Sequence, residues 1–219
     1  MKKITIVALM YFLVGCAVAP LTIEVSDLNK SESVTVTDLR PDSESEKTVF
    51  SLLITSDAYA IYRNNDEVTI PTSVRLLQHK AHEKLSGNTK PVDIKLYHFV
   101  SYTNAQSTLR AGAVGSIFGA IGAGIATASK NQDANFSYSV IDSTSFESIP
   151  EDKEYTKAYF SAAENPNDAT VFILYLDAEV NGSRKMIRTV APAVIEGDDQ
   201  PYVTALEKTI DTFLTSLDT

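Results

Sequence analysis

The chain's three histidines are the side chains best suited to acid–base or metal chemistry, and their spacing limits what they can do. His79 and His82 stand three residues apart with Glu83 beside them, so on a helix they share one face and a shared metal is one reading. Zinc sites of the H-E-x-x-H type instead set the two histidines four apart, with the glutamate next to the first. With Lys80 and Lys84 on the same stretch, an ordinary solvated face is the favoured expectation. His98 falls within a strand pattern and is expected to pack or to bond locally. Asp38 and Arg40 close another strand, where a structural ion pair or turn cap is favoured over a site.

Nucleophilic and phosphate chemistry fare no better. No Gly-x-Ser-x-Gly occurs, and Cys16 is the only thiol. Gly119 and Gly124 have the spacing of a phosphate loop, but Ile125 stands where the phosphate-binding lysine belongs. Gly122-Ala123-Gly124 is followed by Thr127, not by the third glycine of a dinucleotide motif. No catalytic residue, cofactor or metal is therefore expected, and neither is an enzyme.

Cys16 has a different use. Met1-Lys2-Lys3 is positive, residues 4–14 are apolar, and Gly15-Cys16 follows at once. An apolar run this short does not span a hydrocarbon core, which needs about 20 helical residues, but it has the proportions of an export signal. Leu13-Val14-Gly15-Cys16 resembles a lipobox, the site at which bacterial lipoproteins are cleaved and acylated on cysteine. That resemblance implies a signal at 1–15, three acyl chains on the mature Cys16, and anchorage to a membrane. Each buried acyl CH₂ contributes about 0.8 kcal/mol, so several chains together hold stably. Ala17, not Asp, follows the cysteine, which by analogy with lipoprotein sorting implies an outer-membrane address in the cell envelope, facing the periplasm.

The whole chain of 219 residues carries a formal net charge of -9, and losing Lys2 and Lys3 with the signal takes it to -11. Such a surface repels nucleic-acid phosphate and anionic headgroups alike, so no nucleic-acid partner is expected. One segment has no charge at all: residues 111–129, between Arg110 and Lys130. Its small residues recur every fourth position, with Gly112 in one row and Gly115 and Gly119 in the next, and Gly122 and Gly124 follow. On a helix such rows let another backbone approach closely, which supports association in membranes. Glycine costs about 1 kcal/mol relative to alanine in an aqueous helix. Three readings stay open: a helix contacting a membrane, a membrane protein or a second copy of the chain; a helix buried in its own fold; or a glycine-rich crossover.

Around these residues the hydrophobic period alternates between strand and helix. Residues 17–32 are weakly patterned and are expected to be a tether between Cys16 and the core. A strand over 34–38 is stopped by Pro41. Two more, at 49–55 and 58–63, are joined through Ser56-Asp57. Val74, Leu77, Ala81 and Leu85 predict a helix over 72–85, opened by Pro71 and closed by Gly87. Val92, Ile94 and Leu96 alternate with Asp93 and Lys95, a strand over 92–101. Phe136, Tyr138 and Val140 form another, and Ser148 with Glu151 has capping-box spacing for a helix over 150–163. A strand at 171–176 meets a partner at 185–190 through Asn181-Gly182, the strongest hairpin signal in the chain. Pro201 opens a last helix whose stripe is Val203, Leu206, Ile210, Phe213, Leu214 and Leu217.

These elements predict one α+β domain over 33–219, a small mixed or antiparallel sheet packed against two or three helices, with the glycine-rich segment as a helical insertion. The lipobox, the strand ending in Asp38-Leu39-Arg40-Pro41 and the helix at 72–85 together resemble small Gram-negative lipoproteins of the YajG kind. The resemblance covers the signal and the first hundred residues, implies a periplasmic α/β domain, and brings no catalytic residues. Two functional classes follow: an envelope lipoprotein with a structural or protein-interaction role, and an accessory subunit that binds an apolar or lipidic ligand for a transport or assembly complex.

Overall fold

A computed structural model describes residues 19–53, 59–85, 91–105, 136–161, 163–164 and 170–217. In chain order the strands and helices are β1 (Leu21–Thr22), β2 (Thr35–Asp38), β3 (Thr48–Leu53), β4 (Tyr59–Arg63), β5 (Thr69–Ile70), α1 (Ser73–Leu85), β6 (Asp93–Asn104), β7 (Ser137–Val140), α2 (Ser143–Glu147), β8 (Val171–Val180), β9 (Ser183–Pro192) and α3 (Pro201–Ser216). Short 3-10 turns at Leu28–Ser33, Asp42–Ser45, Asp66–Val68 and Glu151–Ala158 complete it. The architecture is α+β, an open and mostly antiparallel sheet with helices against it.

The sheet is organised by β6. One of its edges pairs antiparallel with β8, from Ile94 opposite Val180 to Asn104 opposite Val171. The other edge is shared: β2 pairs parallel with the first half, β4 antiparallel with the end. The order β3-β4-β6-β8-β9-β7 leaves β3 and β7 at the rims, and β1 and β5 form a separate parallel pair. The β8–β9 hairpin turns at Asn181 (φ 51°) and Gly182 (φ 91°). Positive φ at both positions is what a primed two-residue turn requires, and it matches the right-handed twist of the flanking strands. Asn181 also holds the turn to β6, donating its N–H to Asp93 O at 3.0 Å and accepting the Asp93 N–H on Oδ1 at 3.0 Å.

One face of the sheet is covered by α1 and α3. Ile94, Leu96, Phe99, Phe172, Leu174, Leu176 and Ile187 meet Leu76, Leu77 and Ala81 of α1 and the α3 stripe Leu206, Ile210, Phe213 and Leu214 in one apolar core. Each of the leucines, isoleucines and phenylalanines contributes about 1.5–3 kcal/mol by leaving water. On the opposite face, Ile61, Val100, Tyr102, Ile173, Tyr175, Met186 and Val190 pack against Phe146 of α2 and Ala158.

Four sequence expectations are corrected. The span 17–32 is not a free tether over its described part: β1 pairs with β5, Leu21, Ile23 and Val25 pack on the core, and the turn Leu28–Ser33 lies against α1, where Arg75 donates to Leu28 O at 2.6 Å. The period-two spacing of those three apolar residues is what buries them. Ser148 caps nothing ahead of it. It ends α2, its Oγ donating to Ser145 O at 2.9 Å, and Pro150, extended at φ -61° and ψ 151°, leads into the next turn. That turn is the 3-10 segment Glu151–Ala158, shorter than the α-helix expected over 150–163. His79, expected on a solvated face, is 5% exposed. Among the described residues, no helix is long and apolar enough to cross a membrane.

Candidate functional site

A cluster of charged groups lies on the α2 side of the sheet, and a β-bulge turns His98 toward it. Along β6, Leu96 stands opposite Ala178 and His98 opposite Asp177, so Tyr97 is an extra residue. A bulge shifts the inside–outside alternation by one. Before it, Ile94 and Leu96 face α1 and α3; after it, Phe99 takes that side. His98 thereby joins Val100 and Tyr102 on the opposite face.

Three elements converge on His98. Its Nδ1 is 2.7 Å from Glu44 Oε1, in the turn Asp42–Ser45, and the second oxygen of that buried carboxylate accepts the Phe99 N–H at 3.3 Å. Its Nε2 is 3.6 Å from Glu147 Oε1 at the end of α2. Its ring lies 4.9 Å from that of Phe146, the preceding residue, which also meets Tyr175 at 4.8 Å. The start of α2 is set by Asp142, whose side chain accepts the Thr144 N–H at 3.3 Å.

Asp177 completes the group. It is fully buried in β8, and its carboxylate accepts from Arg184 Nε at 3.0 Å and Nη2 at 2.6 Å. The same Nη2 reaches Glu147 Oε1 at 3.2 Å. The Arg184 guanidinium stacks 3.9 Å from the centre of the Tyr97 ring, and the Tyr97 hydroxyl donates to Glu179 at 3.2 Å. Hydrogen bonds and charge from Asp177, outweighing burial, hold Arg184 firmly protonated. Glu179 sits below the usual carboxylate range, chiefly through its hydrogen bond from Lys95. One ligand atom each from His98, Glu147 and Asp177 lies within 4.8 Å of the other two.

A second polar group lies beside the first on the same face. Arg63 of β4 donates to Glu154 Oε1 at 2.5 Å, to Thr48 Oγ1 at 2.7 Å and to Glu46 O at 2.9 Å. The Tyr102 hydroxyl donates to the same Glu154 oxygen at 2.8 Å, and burial together with that carboxylate pushes the phenol well above its ordinary value. Lys157 stands 3.7 Å over the Phe146 ring, and burial depresses its ammonium against the pull of Glu154 and Glu44. Every hydrogen-bonding arm of Arg63 is satisfied, so this group is a structural clamp between β3, β4 and the turn Glu151–Ala158.

The remaining sequence candidates resolve differently. Arg40 is a structural clasp: it bonds Asp38, Asp66 and Phe99 O, tying the end of β2 to the turn Asp66–Val68 and to β6. His79 and His82 do not share a ligand, since His79 Nε2 is 3.3 Å from Glu83 and His82 Nδ1 is 3.2 Å from Ser33 Oγ. The recess lined by Asn64, Asp66, Ser101 and Tyr202 is polar and has room for about one water molecule. There, burial pushes the Tyr202 phenol up to about 12, although its hydroxyl meets Ser101 Oγ at 2.7 Å. Cys16 and the glycines Gly112, Gly115, Gly119, Gly122 and Gly124 lie outside the described residues, as does the expected cap at Gly87.

The sequence patterns do not single out Glu44, Glu147, Asp177 or Arg184. Asp177 carries a signal, a lone carboxylate inside the apolar run 171–178, and counting back from Asn181-Gly182 places Arg184 opposite Glu179, next to it. Glu44 and Glu147 sit in short polar turns and carry none. No protein-family model, no curated protein and no solved structure matches the chain.

Proposed function

We propose that the protein is a cell-envelope lipoprotein, held to a membrane by acyl chains on Cys16 and working there by protein interaction, not catalysis. The observation that carries this reading is the order of the first residues: Lys2-Lys3, an apolar stretch, then Leu13-Val14-Gly15-Cys16. The described fold supports it in a further way. With β1 beginning at Leu21, five residues follow Cys16 up to and including the first strand residue, about 17 Å of extended chain. The domain would therefore ride close to the bilayer, within reach of membrane proteins of the same leaflet. The outer membrane, seen from the periplasm, is the proposed address, from Ala17.

The interaction role draws support from the rim strand β7. Tyr138 and Val140 are exposed there, Val140 by 70%, and among the described strands β7 pairs with β9 alone. Open rims with apolar side chains are places where other chains add on. Residues 111–129 remain the second proposed contact, with a membrane protein or with another copy of the chain.

The test is expression of the full chain in a Gram-negative host with radiolabelled palmitate. The natural chain is expected to take up label and to sediment with outer membranes, and Cys16→Ser to lose both. If Cys16→Ser still sediments with membranes, the acyl anchor is not what holds it. Crosslinking from positions 115–125 in the same cells, with and without Gly119→Leu, then tells whether that segment is a contact.

A further inference from the structure

We propose that His98, Glu147 and Asp177 form a binding site for a divalent cation of the Zn²⁺ class, and that Arg184 is the internal cation which that metal displaces. One imidazole nitrogen and two carboxylate oxygens are a donor set suited to a borderline ion that accepts both nitrogen and oxygen. Bonds of about 2.0–2.2 Å in a tetrahedral arrangement put neighbouring ligand atoms roughly 3.3 Å apart. His98 Nε2 and Glu147 Oε1 stand at 3.6 Å, and all three ligand atoms fall within 4.8 Å of one another. Closing the set to that spacing takes shifts of up to about 1.5 Å. Glu147, the last residue of α2, has its side chain 49% exposed and is the ligand freest to move, His98 is 12% exposed, and Asp177 is buried in β8.

The surroundings of His98 match what a ligating histidine needs. Metal-bound imidazoles commonly give their other ring N–H to a carboxylate, which fixes the tautomer and the ring plane. Glu44 is placed for that role, 2.7 Å from Nδ1 and itself held by the Phe99 N–H. With the proton on Nδ1, the Nε2 lone pair is directed toward Glu147. Phe146 packs against the ring and fixes its other side. The bulge at Tyr97 is the backbone device that aims the ring, and bulges gather beside functional sites because they re-aim a side chain.

Arg184 marks where positive charge belongs. Its guanidinium bridges Asp177 and Glu147, the two proposed oxygen ligands. Its side chain is 36% exposed, lies on the Tyr97 ring, and has Glu179 opposite it across the hairpin. Swinging toward Glu179 leaves the two carboxylates to the metal while the arginine stays paired. Competition between an arginine and a metal for the same carboxylates separates this proposal from a purely structural ion network.

The experiment is calorimetric titration of Zn²⁺ into the tag-free full chain in detergent near pH 7.5, with each variant's folding checked by circular dichroism. The natural chain is expected to bind one Zn²⁺, and His98→Gln to lose that binding. Glu44→Gln should weaken it about 10–100-fold, the usual effect of removing a partner behind a ligand. Arg184→Gln should tighten it, whereas a structural network predicts that this change alters thermal stability alone. Three results overturn the proposal: no saturable Zn²⁺ binding by the natural chain, binding confined to Arg184→Gln, or binding by His98→Gln at the natural affinity, which would place the metal elsewhere. The titration is independent of Cys16, so its outcome and that of the lipid-anchor test do not depend on one another.

Discussion

The two faces of the sheet solve the same packing problem with different chemistry. On the α1–α3 side, Leu76, Ile94, Leu176, Ile210 and Phe213 exclude water, and their placement follows the helix and strand periods. On the α2 side, Tyr102, Tyr175 and Phe146 share the interface with Arg63, Glu154, His98, Asp177 and Arg184. Charge on that side is taken out of water in pairs, which costs desolvation that apolar packing avoids. The first face is held by apolar packing, and the second carries buried charge within its packing. The boundary between them runs through one residue, Tyr97, where β6 changes which side its alternate residues face.

Deleting Tyr97 attacks that boundary and is the largest effect expected. Without the extra residue, the halves 93–96 and 98–104 cannot both keep their sides. Holding the second half turns Ile94 and Leu96 outward and drives Asp93 and Lys95 into the apolar core. Two buried aliphatic side chains are worth about 1.5–3 kcal/mol each, and the buried charges add to the loss, against a total stability of roughly 5–15 kcal/mol. The cooperative urea transition should disappear. A deletion variant that unfolds at the natural midpoint would show that the bulge does not set the two faces.

The next effect separates the faces by whether damage is reversible. Arg63→Met leaves the Glu154 carboxylate buried with Tyr102 as its remaining partner, at a cost of about 3–5 kcal/mol. Adding Glu154→Leu removes the stranded charge, and the double variant should recover most of the stability in denaturant titrations. The apolar face has no such rescue. If the double variant is no more stable than Arg63→Met, the pair is not an isolated clamp but part of the neighbouring network around Glu44 and Lys157.

The apolar face was legible in the sequence because periodicity encodes it. The stripe at Val203, Leu206, Ile210, Phe213 and Leu214, the helix ending at Leu85 and the turn at Asn181-Gly182 each carry their signal within a few residues. Leu21, Ile23 and Val25 alternate just as regularly, but a run this short, soon after the lipobox-like residues ending at Cys16, reads as a tether. The charged face was legible only in fragments. His98 stood out by type, yet the residues it meets come from positions 44, 147 and 177, and no local pattern ties a polar turn to a strand so distant in sequence. The bulge did leave a trace. Apolar positions fall at 92, 94 and 96 and next on that side at 99, a break of three in a period of two.

The smallest effect distinguishes the faces by pH. Burial raises the Glu164 carboxyl, but the Ser161 N–H at 2.7 Å, the Arg188 hydrogen bond and charge, and the Ser161 hydroxyl outweigh it and hold the group below its ordinary value. A carboxyl depressed in the folded state binds fewer protons there than in the unfolded chain. Its stabilisation is therefore complete above the unfolded value of about 4.3 and is lost as pH falls through the folded one. Partial exposure to solvent keeps the effect modest. Urea midpoints between pH 6 and pH 3 should fall for the natural chain and fall less steeply for Glu164→Gln, which gives up the same stabilisation already at neutral pH. On the apolar face, Phe213→Leu should lower the midpoint by the same amount at every pH, because Phe213 is buried in the cluster of apolar side chains under α1 and α3. Parallel curves for the natural chain and Glu164→Gln would mean that the acid sensitivity lies with other carboxylates, such as Glu179 beside Lys95, whose value is depressed in the same direction.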